Sequence, residues 1–122
     1  MIDATLLMTG STVYSPWFPR QADMLLVTAE LVAVDGASLT VKLYTKNASD
    51  TGDGDPVDTG TSIVLSSVGR STAEWETKTS QEGVEQLLRF RYEVTGEASS
   101  DWALFRLLPA SWFDALTVPV AP

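Results

Sequence analysis

The chain has 122 residues, 44% hydrophobic and 20% charged, so it is long enough to fold around one core without disulfides or a metal. It contains no cysteine and no histidine, which excludes disulfide bonds, cysteine and histidine nucleophile systems, and the commonest transition-metal ligands. Its 16 acidic and 8 basic residues give a net charge of −8, which disfavours nucleic acid and anionic membranes as partners.

Short apolar runs bounded by Gly, Ser, Asp or Pro follow one another along the chain, a pattern typical of β-strands. Residues 1–20 begin with two extended pieces, and the second carries Pro16 and Pro19. Because proline has no backbone donor, we expect residues 1–20 to be an edge strand or an N-terminal arm. The start of the chain lacks the basic residues and the apolar length of a signal peptide, which predicts a protein made in the cytoplasm and kept there until cells lyse or it assembles.

The next two strands are the most regular part of the pattern. Residues 24–34 and 38–45 alternate apolar and polar side chains, and Asp35-Gly36 between them is a typical tight-turn pair. We therefore predict that these two segments form a hairpin of adjacent strands.

The rest of the chain continues the strand pattern, with further strands expected near 61–68, 72–79, 86–94 and 102–108. The last of these is almost wholly apolar, which predicts a strand covered on both faces, and Trp75 and Trp102 are expected in the core. Residues 110–122 form an apolar C-terminal tail. Seven or eight short strands predict one all-β domain over residues 1–122, an antiparallel β-sandwich or small barrel with extended ends.

A polar loop rich in Asp and Gly interrupts the strands between residues 46 and 60, with acids at Asp50, Asp53, Asp55 and Asp58. Calcium binds six to eight oxygen ligands, which such a loop can supply, although the spacing is not that of an EF-hand. The simpler interpretation is a solvated loop built from good turn residues. No other cofactor is expected.

Carboxylate pairs are the only catalytic chemistry that the composition leaves open. Glu74 and Glu76 would share one face of a strand, with Lys78 beside them, which is simply a polar sheet face. Glu30 and Glu93 form the other candidate pair, and nothing in the pattern brings them together. We therefore expect a protein that is not an enzyme.

Large aromatic residues concentrate near the two ends of the chain, at Tyr14, Trp17, Phe18, Trp112 and Phe113. Such side chains outside regular strands can anchor a chain in a partner's pocket. They can equally fold back and close the two ends of the sandwich. The sequence leaves both interpretations open for these candidate partner-binding residues.

Three segments carry a family resemblance. They are the opening Asp-Ala-Thr-Leu-Leu-Met-Thr-Gly at 3–10, the strand pair at 25–31 and 38–46, and Leu-Leu-Arg-Phe-Arg-Tyr-Glu-Val-Thr-Gly at 87–96. Together they resemble small β-sandwich proteins of tailed bacteriophages, which include capsid decoration and other minor structural proteins. The loop at 50–60 and the aromatic tail at 111–114 depart from that pattern.

The resemblance implies a structural protein of the virion that coats the capsid by binding the major capsid protein, often as a homo-trimer. On that view the N-terminal arm adds strands to a neighbour, and a chain without residues 1–19 still folds as a monomer but no longer assembles. The alternative function is a carbohydrate-binding or adhesive β-sandwich module.

Overall fold

The computed structural model describes residues 2–22, 24–47, 49, 51–52, 54–56, 62–77 and 87–113, without the side chains of residues 2–4 and 55. These residues contain strands and no helix, which confirms the predicted all-β class. In chain order the strands are β1 (Ile2–Met8), β2 (Thr12–Tyr14), β3 (Phe18–Pro19), β4 (Met24–Asp35), β5 (Ala37–Lys46), β6 (Asp55–Pro56), β7 (Ile63–Leu65), β8 (Gly69–Glu76), β9 (Leu87–Gly96), β10 (Trp102–Leu107) and β11 (Ser111–Phe113).

Five strands form sheet A, in which all pairing is antiparallel. β4 is its centre: β8 lies along one edge of β4, and β10 and β11 follow each other along the opposite edge. Pro109 lies where β10 ends, and the Leu108 backbone N–H still donates to the Thr28 carbonyl at 2.9 Å. β1 completes the sheet by pairing with β10.

Six strands form sheet B, also antiparallel, with β9 and β5 at its centre. β5 and β9 pair over their whole length, from Ala37 opposite Gly96 to Lys46 opposite Leu87. β2 and β3 lie along the free edge of β9, and β6 and β7 lie along the free edge of β5.

The core lies between the two sheets because alternate side chains of each long strand point to the same face. The predicted inward faces are confirmed: the buried positions include Leu25, Val27, Ala29 and Leu31 of β4, Leu39, Val41 and Leu43 of β5, and Leu88, Phe90, Tyr92 and Val94 of β9. Trp75, Phe90 and Phe105 are among the largest fully buried side chains. Each such burial stabilises the fold by roughly 1.5–3 kcal/mol.

The predicted hairpin at residues 24–45 is wrong. β4 lies in sheet A and β5 in sheet B, so the chain crosses from one sheet to the other at Gly36 instead of pairing with itself. Gly36 has a φ of +70° and forms an isolated bridge with Trp102. Both strands still bury one alternating face, because they face each other across the core.

The expectation that β10 is covered on both faces is also wrong. Ala103, Phe105 and Leu107 are buried, whereas Arg106 on the other face is exposed. Trp102 shares that outer face and is only half-buried, so it does not belong to the core as expected. The almost wholly apolar sequence of β10 therefore results from an outer face that, apart from Arg106, is apolar although it contacts solvent.

The N-terminal residues form edge strands of the chain's own sheets. β1 pairs with β10, and β2 and β3 pair with β9. Between β2 and β3 the Ser15 backbone N–H donates to the Phe90 carbonyl at 2.9 Å, and the Ser15 Oγ accepts from the Phe90 N–H at 2.8 Å. Ser15 thus keeps this segment on β9 directly before Pro16, so the described N-terminal strands complete this chain's own sheets.

Candidate partner-binding face

The outer face of sheet B carries a row of cations on its two central strands. Because β5 and β9 pair in register, Lys42 lies opposite Arg91, and Tyr44 lies opposite Arg89. Lys46 follows on the same face of β5, two residues after Tyr44. The pairing of β5 with β9 is what brings these four cationic side chains together.

The N-terminal segment adds two aromatic rings to this surface. Tyr14 lies opposite Arg91 in the pairing of β2 with β9. The Arg89 guanidinium carbon lies 3.9 Å from the centre of the Tyr14 ring and 4.4 Å from that of Trp17. The Lys46 Nζ lies 4.5 Å from the centre of the Trp17 ring. These are cation–π distances, so the rings and cations hold one another in place.

Arg91 is held by a second set of contacts. Its Nη1 donates to the Tyr44 hydroxyl at 3.4 Å, and its Nη2 lies 3.2 Å from the Glu93 carboxylate. The Tyr14 and Tyr44 rings meet edge to face at 5.9 Å. Glu93 is the one acid on the outward positions of β5 and β9. We call the surface formed by Tyr14, Trp17, Lys42, Tyr44, Lys46, Arg89 and Arg91 the cation–aromatic face.

This clustering is not visible in the sequence, where the basic residues are spread along the chain from Arg20 to Arg106. Four of the eight basic residues lie on the cation–aromatic face, although the whole chain carries a net charge of −8. Sequence alternation already predicts that Lys42, Tyr44, Arg89 and Arg91 point outward. What it does not reveal is that β5 and β9 are neighbours, since 40 residues or more separate them in the chain.

Trp17 also contacts the Asp- and Gly-rich loop. A Cβ on Gly54 would lie 2.7 Å from the Trp17 ring, so the ring packs directly against a backbone without a side chain. The Lys46 Nζ donates to the Gly52 carbonyl at 3.3 Å. This loop is therefore tied to the cation–aromatic face through its glycines.

The predicted calcium ligands fall largely outside the described residues. Asp50, Asp53 and Asp58 are not described, and Asp55 is described only as part of the β6 backbone. Among the residues that are described, no group of His, Cys, Asp and Glu is placed to hold a metal ion.

The five predicted aromatic anchors separate into two groups. Tyr14 and Trp17 lie on the cation–aromatic face. Phe18 instead contacts Phe90 in the core, with ring centres 5.3 Å apart, and meets Trp112 edge to face at 6.1 Å. Phe18 and Trp112 come from opposite sheets, so they close one end of the sandwich, while Phe113 pairs with Met24 at the edge of sheet A.

Sheet A carries an ion cluster on its outer face. The Glu30 carboxylate accepts from Arg70 Nε at 2.7 Å and from Arg106 Nε at 2.6 Å. These two hydrogen bonds lower the pKa of Glu30 below its usual value. Because the three residues lie on β4, β8 and β10, the cluster ties three adjacent strands together.

The phenol of Tyr92 also has a shifted pKa, which is raised because the side chain is buried. Its ring packs against Phe90 and Phe105 in the core. Tyr92 therefore stays neutral and packs as a core residue.

The same outer face of sheet A also bears an apolar patch. Leu6, Met8 and Val32 are 57%, 43% and 40% exposed, and they lie beside Leu104 and Trp102 in the strand register. Val32 lies on the outer face by the alternation of β4, at an irregularity in the pairing of β4 with β10. This patch carries no charge that would select a partner, so the cation–aromatic face is the better-defined candidate site.

Comparison of the chain with protein-family models, with curated proteins and with solved structures finds no match. No helix in the described part of the chain is long and apolar enough to cross a membrane.

Proposed function

We propose that this protein is a non-enzymatic structural protein of a phage particle, a capsid decoration protein made in the host cytoplasm, that attaches to an acidic surface of the shell through the cation–aromatic face. The observation that carries this proposal is the gathering of four of the eight basic residues, with three aromatic rings, on one face of an acidic chain. The resemblance of three chain segments to small phage β-sandwich proteins supplies the biological setting.

The residue types on this face suit protein recognition. Tyr, Trp and Arg are the side chains most enriched at the energetic centres of protein interfaces. Here they are already stacked on one another, so binding would cost little additional side-chain entropy. A basic face on an acidic molecule also orients the chain, because this face is attracted to an acidic shell while the net negative charge of the chain is repelled by it.

A carbohydrate-binding module is the alternative that the three aromatic rings of this face favour. Tyr14, Trp17 and Tyr44 lie on one sheet face, which is where such modules place aromatic platforms. However, the Arg89 guanidinium lies over both Tyr14 and Trp17, and the Lys46 ammonium lies over Trp17. Because the cations occupy ring faces that a sugar would need, a protein partner is better supported.

The test compares two double variants that remove the same charge from opposite sheets. Lys42→Gln with Arg91→Gln removes two of the four cations of the cation–aromatic face, and Arg70→Gln with Arg106→Gln removes two cations of sheet A. Each would be mixed with empty shells of a phage whose genome encodes this chain, and co-sedimentation would be measured. We expect the first variant to lose binding by about tenfold or more and the second to bind as the wild type does.

Salt gives a further readout, because binding through this face should weaken as ionic strength rises from about 50 to 500 mM. Circular dichroism would confirm that each variant is folded. Equal loss of binding in both double variants would contradict the proposal. So would binding of duplex DNA, or of neutral glycans with loss on Trp17→Ala, in place of shells.

A further inference from the structure

β8 presents the longest uninterrupted sheet edge in the described part of the chain. It pairs with β4 in continuous register over eight residues, and no described strand pairs with its other side. The other sheet edges are broken: β1 has an irregular register, a segment with Pro16 separates β2 from β3, and β6 and β7 have two and three residues. A long regular edge is a template for another strand.

The side chains of β8 divide cleanly between its two faces. Ala73 and Trp75 are buried against the core, whereas Arg70, Thr72 and Glu74 are exposed on the outer face. Along the outer face, every second residue therefore follows the order cation (Arg70), small polar residue (Thr72) and anion (Glu74). In an antiparallel copy of the strand this order runs the other way, so that the cation of one copy lies opposite the anion of the other. The strand is therefore complementary to an antiparallel copy of itself.

We propose that β8 pairs antiparallel with β8 of a second copy of this chain, with Thr72 facing Thr72 across the twofold axis. Arg70 of each copy then lies opposite Glu74 of the other, which places two pairs of opposite charges across the new strand boundary. The partner is a second copy because that charge order matches itself in this register.

Charge also selects the register. A shift that places the axis at Glu74 brings two carboxylates face to face, which is repulsive. Placing the axis at Ala73 pairs Arg70 with Glu76, but Glu76 is half-buried and takes part in another contact. Arg70 can serve both neighbours, because the hydrogen bond to Glu30 uses its Nε and a guanidinium has five N–H donors.

This dimer is independent of the proposed shell binding, since β8 lies in sheet A and the cation–aromatic face lies on sheet B. Pairing would join two copies of sheet A into one continuous sheet. Both cation–aromatic faces would stay accessible, so each copy could still bind the shell through its own face.

The first test is a charge reversal at the new boundary. Glu74→Arg places like charges opposite Arg70 twice, and we expect it to raise the dimer dissociation constant by about tenfold or more in sedimentation equilibrium. Glu97→Arg is the matched control, because it makes the same charge change at an exposed position outside β8. A wild type that stays monomeric up to about 1 mM, or equal effects of both variants, overturns the proposal.

The second test fixes the register by cross-linking, which is clean because the chain has no cysteine. Directly opposed residues of an antiparallel pair have Cα atoms about 4.5–5.5 Å apart, within disulfide range. Thr72→Cys should therefore oxidise to a covalent dimer much faster than Thr95→Cys, an exposed position on β9. Equal rates for the two variants overturn the proposed pairing, whereas a native-like melting temperature shows that each is folded.

Discussion

Gly36 is the residue on which the change of sheet depends. Its φ of +70° is a backbone conformation that residues other than glycine rarely adopt. A Cβ added at this position would lie 2.8 Å from the Asp101 carboxylate. Asp101 itself accepts from the Ala98 N–H at 3.0 Å, so it is not free to move away without loss. The residue therefore satisfies two constraints, one of backbone conformation and one of space.

Gly36→Ala should be more destabilising than Gly10→Ala. Gly10 has a φ of +85° but nothing within 4 Å of the added Cβ. Its substitution should therefore destabilise the fold only through the strained backbone conformation, by roughly 1 kcal/mol. Gly36→Ala should be destabilised by the same backbone strain and, in addition, by the steric clash of the new Cβ with Asp101. Chemical denaturation of both variants measures the difference, and equal free energies of unfolding would show that the contact with Asp101 is unimportant.

At the residue scale, the sequence predicts whether a side chain points inward or outward, but not which residues surround it. The alternation of residues 86–94 correctly predicts that Phe90 and Tyr92 point inward and that Arg89 and Arg91 point outward. It cannot tell that Phe18 closes the core while Trp17, the residue before it, lies over Arg89. Both are large aromatic residues in one proline-bearing segment, and only their neighbours from distant strands decide their roles.

At the scale of strands, pairing is what the sequence conceals. β4 and β5 show the alternation and the turn residues of a hairpin, yet they lie in different sheets. Each strand needs only a partner face to bury its apolar side chains, and an opposing sheet satisfies that need as well as an adjacent strand does. Local periodicity therefore predicted the strands and their inward faces, but not the sheets to which they belong.

The Glu30 cluster is a property of three strands, and it predicts a pH dependence of stability. Because the folded state lowers the pKa of Glu30 below 4.5, the stabilisation is complete above that pH and is lost as the pH falls through the lowered value. The free energy of unfolding of Glu30→Gln should therefore fall furthest below that of the wild type above pH 4.5, and the gap should close in more acidic solution. Urea denaturation across this range measures it.

The arginines provide the control for this prediction. In a chain that carries Arg70→Gln and Arg106→Gln, Glu30 has lost both hydrogen-bond donors, so adding Glu30→Gln should produce no further pH-dependent change. A gap between the wild type and Glu30→Gln that stays constant from neutral to acidic pH would mean that the ion cluster does not stabilise the fold electrostatically.

At the scale of the whole molecule, charge and pairing divide the two sheets. Sheet B concentrates cations on its outer face although the chain is strongly acidic, and sheet A offers a regular edge and an apolar patch. Composition predicted an acidic all-β protein, but it could not predict this division, because the division arises from which strands become neighbours. The two sheets can therefore serve different partners at the same time.

The N-terminal strands belong to both sheets, which makes them essential to the domain. Residues 1–19 include β1 on sheet A and β2 and β3 on sheet B. Their removal would uncover the edges of β10 and β9, leave the Phe90 N–H without Ser15, and remove Phe18 from its contact with Phe90. From these contacts we expect, in contrast to the prediction from sequence, that a chain without residues 1–19 does not fold.

We predict that deleting residues 1–19 abolishes the cooperative thermal unfolding transition expected for the whole chain, because unpaired edges and an open core end are exposed together. Calorimetry measures the transition. Phe18→Ala in the full-length chain is the graded comparison: it keeps every strand and should lower the melting temperature while leaving the transition cooperative. A truncated chain with a sharp transition near that of the whole chain would instead restore the interpretation of residues 1–20 as a detachable arm that reaches another molecule.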